Sequence, residues 1–127
     1  MAVARKWKRK ITVNERLFWW YIKEWEDRCG LPHLFVLSPD KHFMVAYQLS
    51  QIELFRFSSN ENLTPFVIVM GKEFGALPEA GCWRRVRLPG LDWDDVNIAP
   101  AFVRKFIEWC LDENKEAVQV DDFGRRI

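Results

Sequence analysis

Cysteine and histidine are scarce in this chain and badly placed for chemistry. Its 127 residues contain three cysteines, Cys29, Cys82 and Cys110, far apart, odd in number and in no C-x-x-C pairing. That argues against a disulfide scaffold and for a reducing, cytoplasmic setting. The only histidines are His33 and His42. Charge of one sign is lacking too: 19 Lys and Arg against 18 Asp and Glu leave +1. No whole-chain field therefore advertises nucleic acid or an acidic membrane. No apolar run approaches the roughly 18 residues that a membrane-spanning helix needs. The N-terminus carries the basic half of a signal peptide, but no uninterrupted apolar segment or small-residue cleavage site follows. Phosphate loops, internal repeats and low-complexity blocks are all missing.

Aromatics, by contrast, are abundant. Seven tryptophans occur, and Trp19, Trp20 and Trp25 crowd into one short run. Large aromatics supply core area, and they are over-represented at contact surfaces. Hydrophobic residues at 49% and charged residues at 29% describe an ordinary globular chain, long enough to bury a core in one domain. The basic residues are uneven, with Arg5, Lys6, Lys8, Arg9 and Lys10 in the first ten positions and no acid among them. Residues 1–9 read as a basic arm, 10–113 as a single domain and 114–127 as a polar tail.

Ile11-Thr12-Val13, the turn-prone Asn14-Glu15 and Arg16 to Trp25 read as a hairpin with a long aromatic second strand. A helix competes for the same residues. Thr12 and Glu15 also fit a capping box opening a helix to Arg28, closed by Gly30 and followed by Pro32. Leu17 to Ile22 is apolar throughout, so periodicity does not arbitrate; β-branched and aromatic content favours the strand. His33–Leu37 and Phe43–Leu49 are strand-like runs around the turn Ser38-Pro39-Asp40-Lys41. Ile52–Phe57 is a weaker strand candidate, and Ser58–Thr64 a polar loop. Phe66–Met70 is apolar throughout, as in a strand buried on both faces, and Trp83–Leu88 is a short strand. Pro100 opens a helix with Phe102, Val103, Phe106, Ile107, Cys110 and Leu111 on one stripe and Arg104, Lys105, Glu108 and Asp112 opposite. Ala117–Val120 is a candidate edge strand. The fold class is α+β: an antiparallel sheet of about five or six strands with the C-terminal helix packed on one face.

Ile11 to Trp25 (ITVNERLFWWYIKEW) with the hairpin after it, and Ile98 to Ile107 (IAPAFVRKFI), together resemble parts of short standalone bacterial proteins. These have an aromatic N-terminal hairpin and a Pro-initiated closing helix, and some travel on mobile integron gene cassettes. The likeness covers about half of the chain, and Ala99 stands where a capping hydroxyl is usual. It implies an α+β fold and a bacterial or mobile-element origin, and carries over no catalytic residue.

Several constellations have a bland reading beside the sharp one. His33 and His42 would face one another across their hairpin beside Asp40, but a metal site needs three or four ligands; neither metal nor cofactor is expected. Cys110 lies on the apolar stripe, where a thiol behaves as a small hydrophobe. Asp92, Asp94 and Asp95 precede the helix, where the macrodipole accounts for them. In Trp83–Leu88, alternation puts Trp83, Arg85 and Arg87 on one face, able to stack a base and hold phosphates, or simply to protect an edge strand. In the aromatic strand Leu17, Trp19, Tyr21 and Trp25 alternate against Phe18, Trp20 and Ile22.

The expectation is a non-enzymatic interaction module that self-associates or binds a protein partner through its aromatic sheet face. The expected binding residues are Trp19, Tyr21, Trp25, Trp83, Arg85 and Arg87. Two alternatives stand beside it: nucleic-acid binding through the basic arm and the Trp83–Arg87 strand, and a small-ligand or enzymatic pocket between sheet and helix.

Overall fold

A hairpin opens the fold. In the computed structural model, which describes residues 8–26, 30–51, 65–77, 83–88 and 98–121, β1 (Arg9–Val13) pairs antiparallel with β2 (Arg16–Trp25). Asn14 and Glu15 form the connection with φ of 52° and 66°. Two left-handed residues match the twist of a two-residue hairpin turn. This settles residues 16–25 as strand: a left-handed pair at 14–15 is incompatible with the first turn of a helix capped at Thr12. Asn tolerates the left-handed region and Glu does not. Glu15→Gly is therefore expected to raise stability by about 0.5–1 kcal/mol, read from thermal unfolding. A loss instead would show that the Glu15 side chain makes a compensating contact.

The chain then meanders. β3 (Leu31–Leu37), β4 (Met44–Gln48), β5 (Phe66–Val69), β6 (Arg84–Arg87) and β7 (Gln119–Val120) extend one seven-stranded antiparallel sheet in the order β1-β2-β3-β4-β5-β6-β7. The strand count exceeds the sequence expectation. The tail contributes a two-residue strand opposite Arg85 and Val86. Ile52–Phe57 lies outside the described residues, as do Cys29, Cys82, Asp92, Asp94, Asp95 and most of the basic arm.

Polar side chains extend the ladders where strands stop. Ser38 accepts from the Phe43 N–H at 3.0 Å, and Asp40 accepts from the His42 N–H at 3.0 Å, closing the β3–β4 turn. β4 and β5 pair directly at only two positions. Buried Gln51 takes over, donating to the Phe66 carbonyl at 2.9 Å and accepting from the Phe66 N–H at 3.1 Å. A side-chain amide thus stands in for a strand backbone.

The helix α1 (Pro100–Leu111) packs against one face of the sheet. Val103, Phe106, Ile107 and Cys110 are buried, with Phe102 and Leu111 at the margins of the stripe. Ala99 at the N-cap makes no side-chain hydrogen bond, and Pro100 lacks one of the N–H groups a cap would serve. At the other end Lys115 donates to the carbonyls of Cys110 and Asp112, both at 2.8 Å, and its ammonium lies 4.2 Å from the Phe74 ring centre. It therefore caps the helix C-terminus while packing on an aromatic.

Strand alternation gives the sheet two apolar faces. Phe18, Trp20, Leu34, Val36, Val45, Tyr47, Val67, Val69 and Val86 join the helix in the main core. Phe35, Ala46, Phe66, Ile68 and Val120 form a second buried cluster on the outer face, with Tyr21, Trp25 and Met70 against it. Every residue of β5 is buried, as its unbroken apolar run implies. No described helix is long and apolar enough to cross a membrane.

Candidate functional site

On the outer face the aromatic side chains line up. β2 turns Tyr21 and Trp25 outward, and β3 sets Phe35 directly opposite Tyr21. The Tyr21 and Phe35 rings stack at 5.1 Å with 12° between their planes, and Trp25 meets Phe35 at 5.2 Å. Trp83, arriving just before β6, meets Trp25 at 5.8 Å. The four rings form a continuous aromatic wall. Beside it opens a groove of about 630 Å³, whose lining also includes Met44, Met70, Lys23, Glu24 and Glu26.

Trp83 is the unusual member. It is 58% exposed, and its φ of 54° lies in the left-handed region. Its position therefore follows from a local backbone reversal, whereas the sequence reading placed it by strand alternation. Non-glycine residues held there cost free energy and collect at functional sites. A tryptophan that is both exposed and held this way contributes little to the core.

The other expected residues are distributed unevenly. Trp19 lies on the same face as Tyr21, two positions back, half-buried with the Lys10 ammonium 5.2 Å from its ring. Lys8 sits 5.8 Å from the Tyr21 ring. Arg85 pairs with Ile68 and Val120, both in the outer cluster, whereas its neighbour Val86 joins the main core. Arg87 is elsewhere: it lines a smaller cavity of about 310 Å³ with Trp109 and Lys115, near the helix C-terminus. Phe35, Met44 and Met70 were not singled out from sequence. Their places on alternating strands were legible, but their convergence depends on register.

Between the sheet and the middle of the helix, aromatic rings pack together, and the 310 Å³ cavity lies towards the helix C-terminus. Phe106 lies 5.8 Å from Tyr47 and stacks on Phe102 at 6.1 Å. Cys110 is fully buried there, and desolvation pushes its thiol far up, which removes it as a nucleophile at neutral pH.

The two histidines do not face one another. β3 pairs His33 with Gln48, and His33 is buried with its Nδ1 2.8 Å from the Leu31 carbonyl oxygen. His42 instead joins Asp40 and Glu73, whose ligand atoms lie within 4.8 Å of one another. Arg16 occupies both Glu73 carboxylate oxygens at 2.8 Å, so the cluster is an ion-pair network with a cation already seated. The hydrogen bonds from Arg16 hold the Glu73 carboxyl below its usual range, and that from Ser38 does the same for Asp40. A lowered carboxyl contributes stability above the unfolded value, near pH 4.5 for Glu73, and loses it as pH falls through the folded value. Both partners are about one-third exposed, so Glu73→Gln should remove less than about 1 kcal/mol at neutral pH. It should also flatten the acid limb of stability below pH 4.5, measured by urea unfolding. An unchanged acid limb would show that Arg16 serves Glu73 only at the surface.

No family model matches this chain, and comparisons with curated proteins and with solved structures found no match.

Proposed function

We propose that this chain is a non-enzymatic contact module whose working surface is the aromatic groove on the outer sheet face. The observation that carries this reading is Trp83: exposed, left-handed and in ring contact with Trp25 at the groove. Exposed aromatic patches in water-soluble proteins mark contact sites. The lining favours adaptable contact, since its thioethers and rings offer polarizable surface. A cytoplasmic setting, which the cysteine usage supports, and a mobile-element origin, which the N-terminal hairpin and closing helix suggest, belong to the same proposal.

Self-association is the second reading. Leu17, Leu31 and Trp83 are the large hydrophobics exposed on this face, and a second copy would cover them. The test is solution mass by light scattering across protein concentration at low and high salt, for wild type, Trp19→Ala, Trp25→Ala and Trp83→Ala. A salt-insensitive dimer that the substitutions dissociate, with folding retained, assigns the groove to self-association. A monomer at both salts directs attention to a different occupant. Unfolding of Trp19→Ala and Trp25→Ala, together with wild-type contact behaviour in Trp83→Ala, would sink the contact reading.

A further inference from the structure

We infer that the outer face binds an unpaired nucleic-acid strand, with bases stacking on Trp83 and Trp25 and phosphates lying beside Lys8, Lys10 and Lys23. This rests on the contact-module reading and names its occupant. The two halves of the argument come from different parts of the chain. The ring wall combines β2 and β3 with Trp83, and the charges come from Lys8 just before β1, from β1 and from β2.

The charges follow from register. Arg9 is paired with Trp20 and Lys10 with Trp19, so Lys8 and Lys10 share the outer face with Tyr21 and Trp19. Alternation along β2 adds Lys23 between Tyr21 and Trp25, and along β6 adds Arg85. Every charged side chain that alternation turns outward on β1, β2 and β6 is therefore basic. Glu24 and Glu26 line the groove beside Lys23, so the uncompensated charge lies with Lys8 and Lys10. Among the described residues, no carboxylate forms an ion pair with Lys8, Lys10 or Lys23. A near-neutral chain has thus gathered three lysines beside a ring wall whose exposed member is Trp83.

That pairing of features discriminates between occupants. A second copy seated about a two-fold axis would bring two sets of these lysines into one interface. An apolar protein patch would strip water from three ammonium groups and offer them no partner. A single strand supplies what both halves need: base faces for the rings and phosphates for the ammonium groups. A duplex hides its base faces within the stack, and so would meet only the lysines.

The test is fluorescence anisotropy of the full chain with labelled oligothymidylate and oligouridylate of about 12 nucleotides, within the usual site size of such binders. A duplex of equal length is the comparison, and salt is varied. The expected result is preference for the single strands, with log affinity falling against log salt with a slope of about −2 for three phosphate contacts. Trp83→Ala should weaken binding roughly tenfold, the loss of one stacked base, and Lys23→Glu should reduce the salt slope. Ile22→Ala, at an exposed position on the opposite face, should retain binding.

Absence of binding at the lowest salt would overturn the inference. Equal affinity for single strand and duplex, unaffected by Trp83→Ala, would also overturn it and assign the binding to charge alone. Light scattering on the same samples separates the two levels. If oligonucleotides fail but a dimer forms and Trp83→Ala dissociates it, the contact reading stands and its occupant is a second copy. If neither contact occurs, both readings fall.

Discussion

Phe106→Ala is expected to destabilise the fold by about 3–5 kcal/mol, the largest effect of any single truncation considered. Phe106 is fully buried midway along α1, stacked on Phe102 and 5.8 Å from the Tyr47 ring. It joins the sheet centre to the only described helix, and its removal leaves a ring-sized cavity walled by side chains that themselves have little room to collapse. Domains of this size have about 5–15 kcal/mol in total, so a large part of the stability would disappear. Urea unfolding followed by tryptophan fluorescence should show a lower midpoint at unchanged slope. A loss below about 1.5 kcal/mol would mean that the helix is not seated on Tyr47 as described.

Gly71→Ala is expected to cost about 2–3 kcal/mol, and to reach the groove as well as the core. The Gly71 N–H donates to the Met44 carbonyl at 2.9 Å, a carbonyl that also accepts from the Met70 N–H at 2.9 Å. A Cβ at this position would enter the carbonyl oxygen of His42 and lie 2.6 Å from the Met44 nitrogen. Both are backbone atoms, so no rotamer change relieves the clash. The end of β5 must separate from the start of β4. Met44 and Met70 line the groove, so contact through the outer face should weaken with stability. Hydrogen exchange at Met70 and Gly71 should accelerate in the variant, while exposed Lys72→Ala should leave both stability and exchange unchanged. Wild-type exchange in Gly71→Ala would show that the strands accommodate a methyl group here.

The helix was the most legible element. Its apolar residues recur at helical spacing, and Val103, Phe106, Ile107 and Cys110 are buried as that spacing requires. The strands from Leu31 to Val69 announced themselves by runs of β-branched and aromatic residues between turn signals. The aromatic run was ambiguous because residues 17–22 are apolar at every position, which satisfies both periods. The left-handed pair Asn14 and Glu15 decided it. Gln51 was invisible from sequence, since nothing local marks a glutamine as a substitute for strand backbone.

The candidate site divides in the same way. Alternation separates Tyr21 and Trp25 from Phe18 and Trp20, and this much is written in the order of the residues along β2. Which set meets the helix is not, because either face of a strand can turn inward until a partner covers it. Likewise, a local pattern makes Trp83 aromatic and adjacent to arginines, but its contact with Trp25 arises from two remote segments brought to one end of the sheet. Sequence by itself determined the α+β class, the helix stripe and the alternation of each strand, because these depend on neighbours three or four positions apart at most. The tertiary structure alone decided that the aromatic wall and the outward lysines share one face. Strand register and the backbone reversal at Trp83 are set by pairing across the sheet, and no local period encodes them.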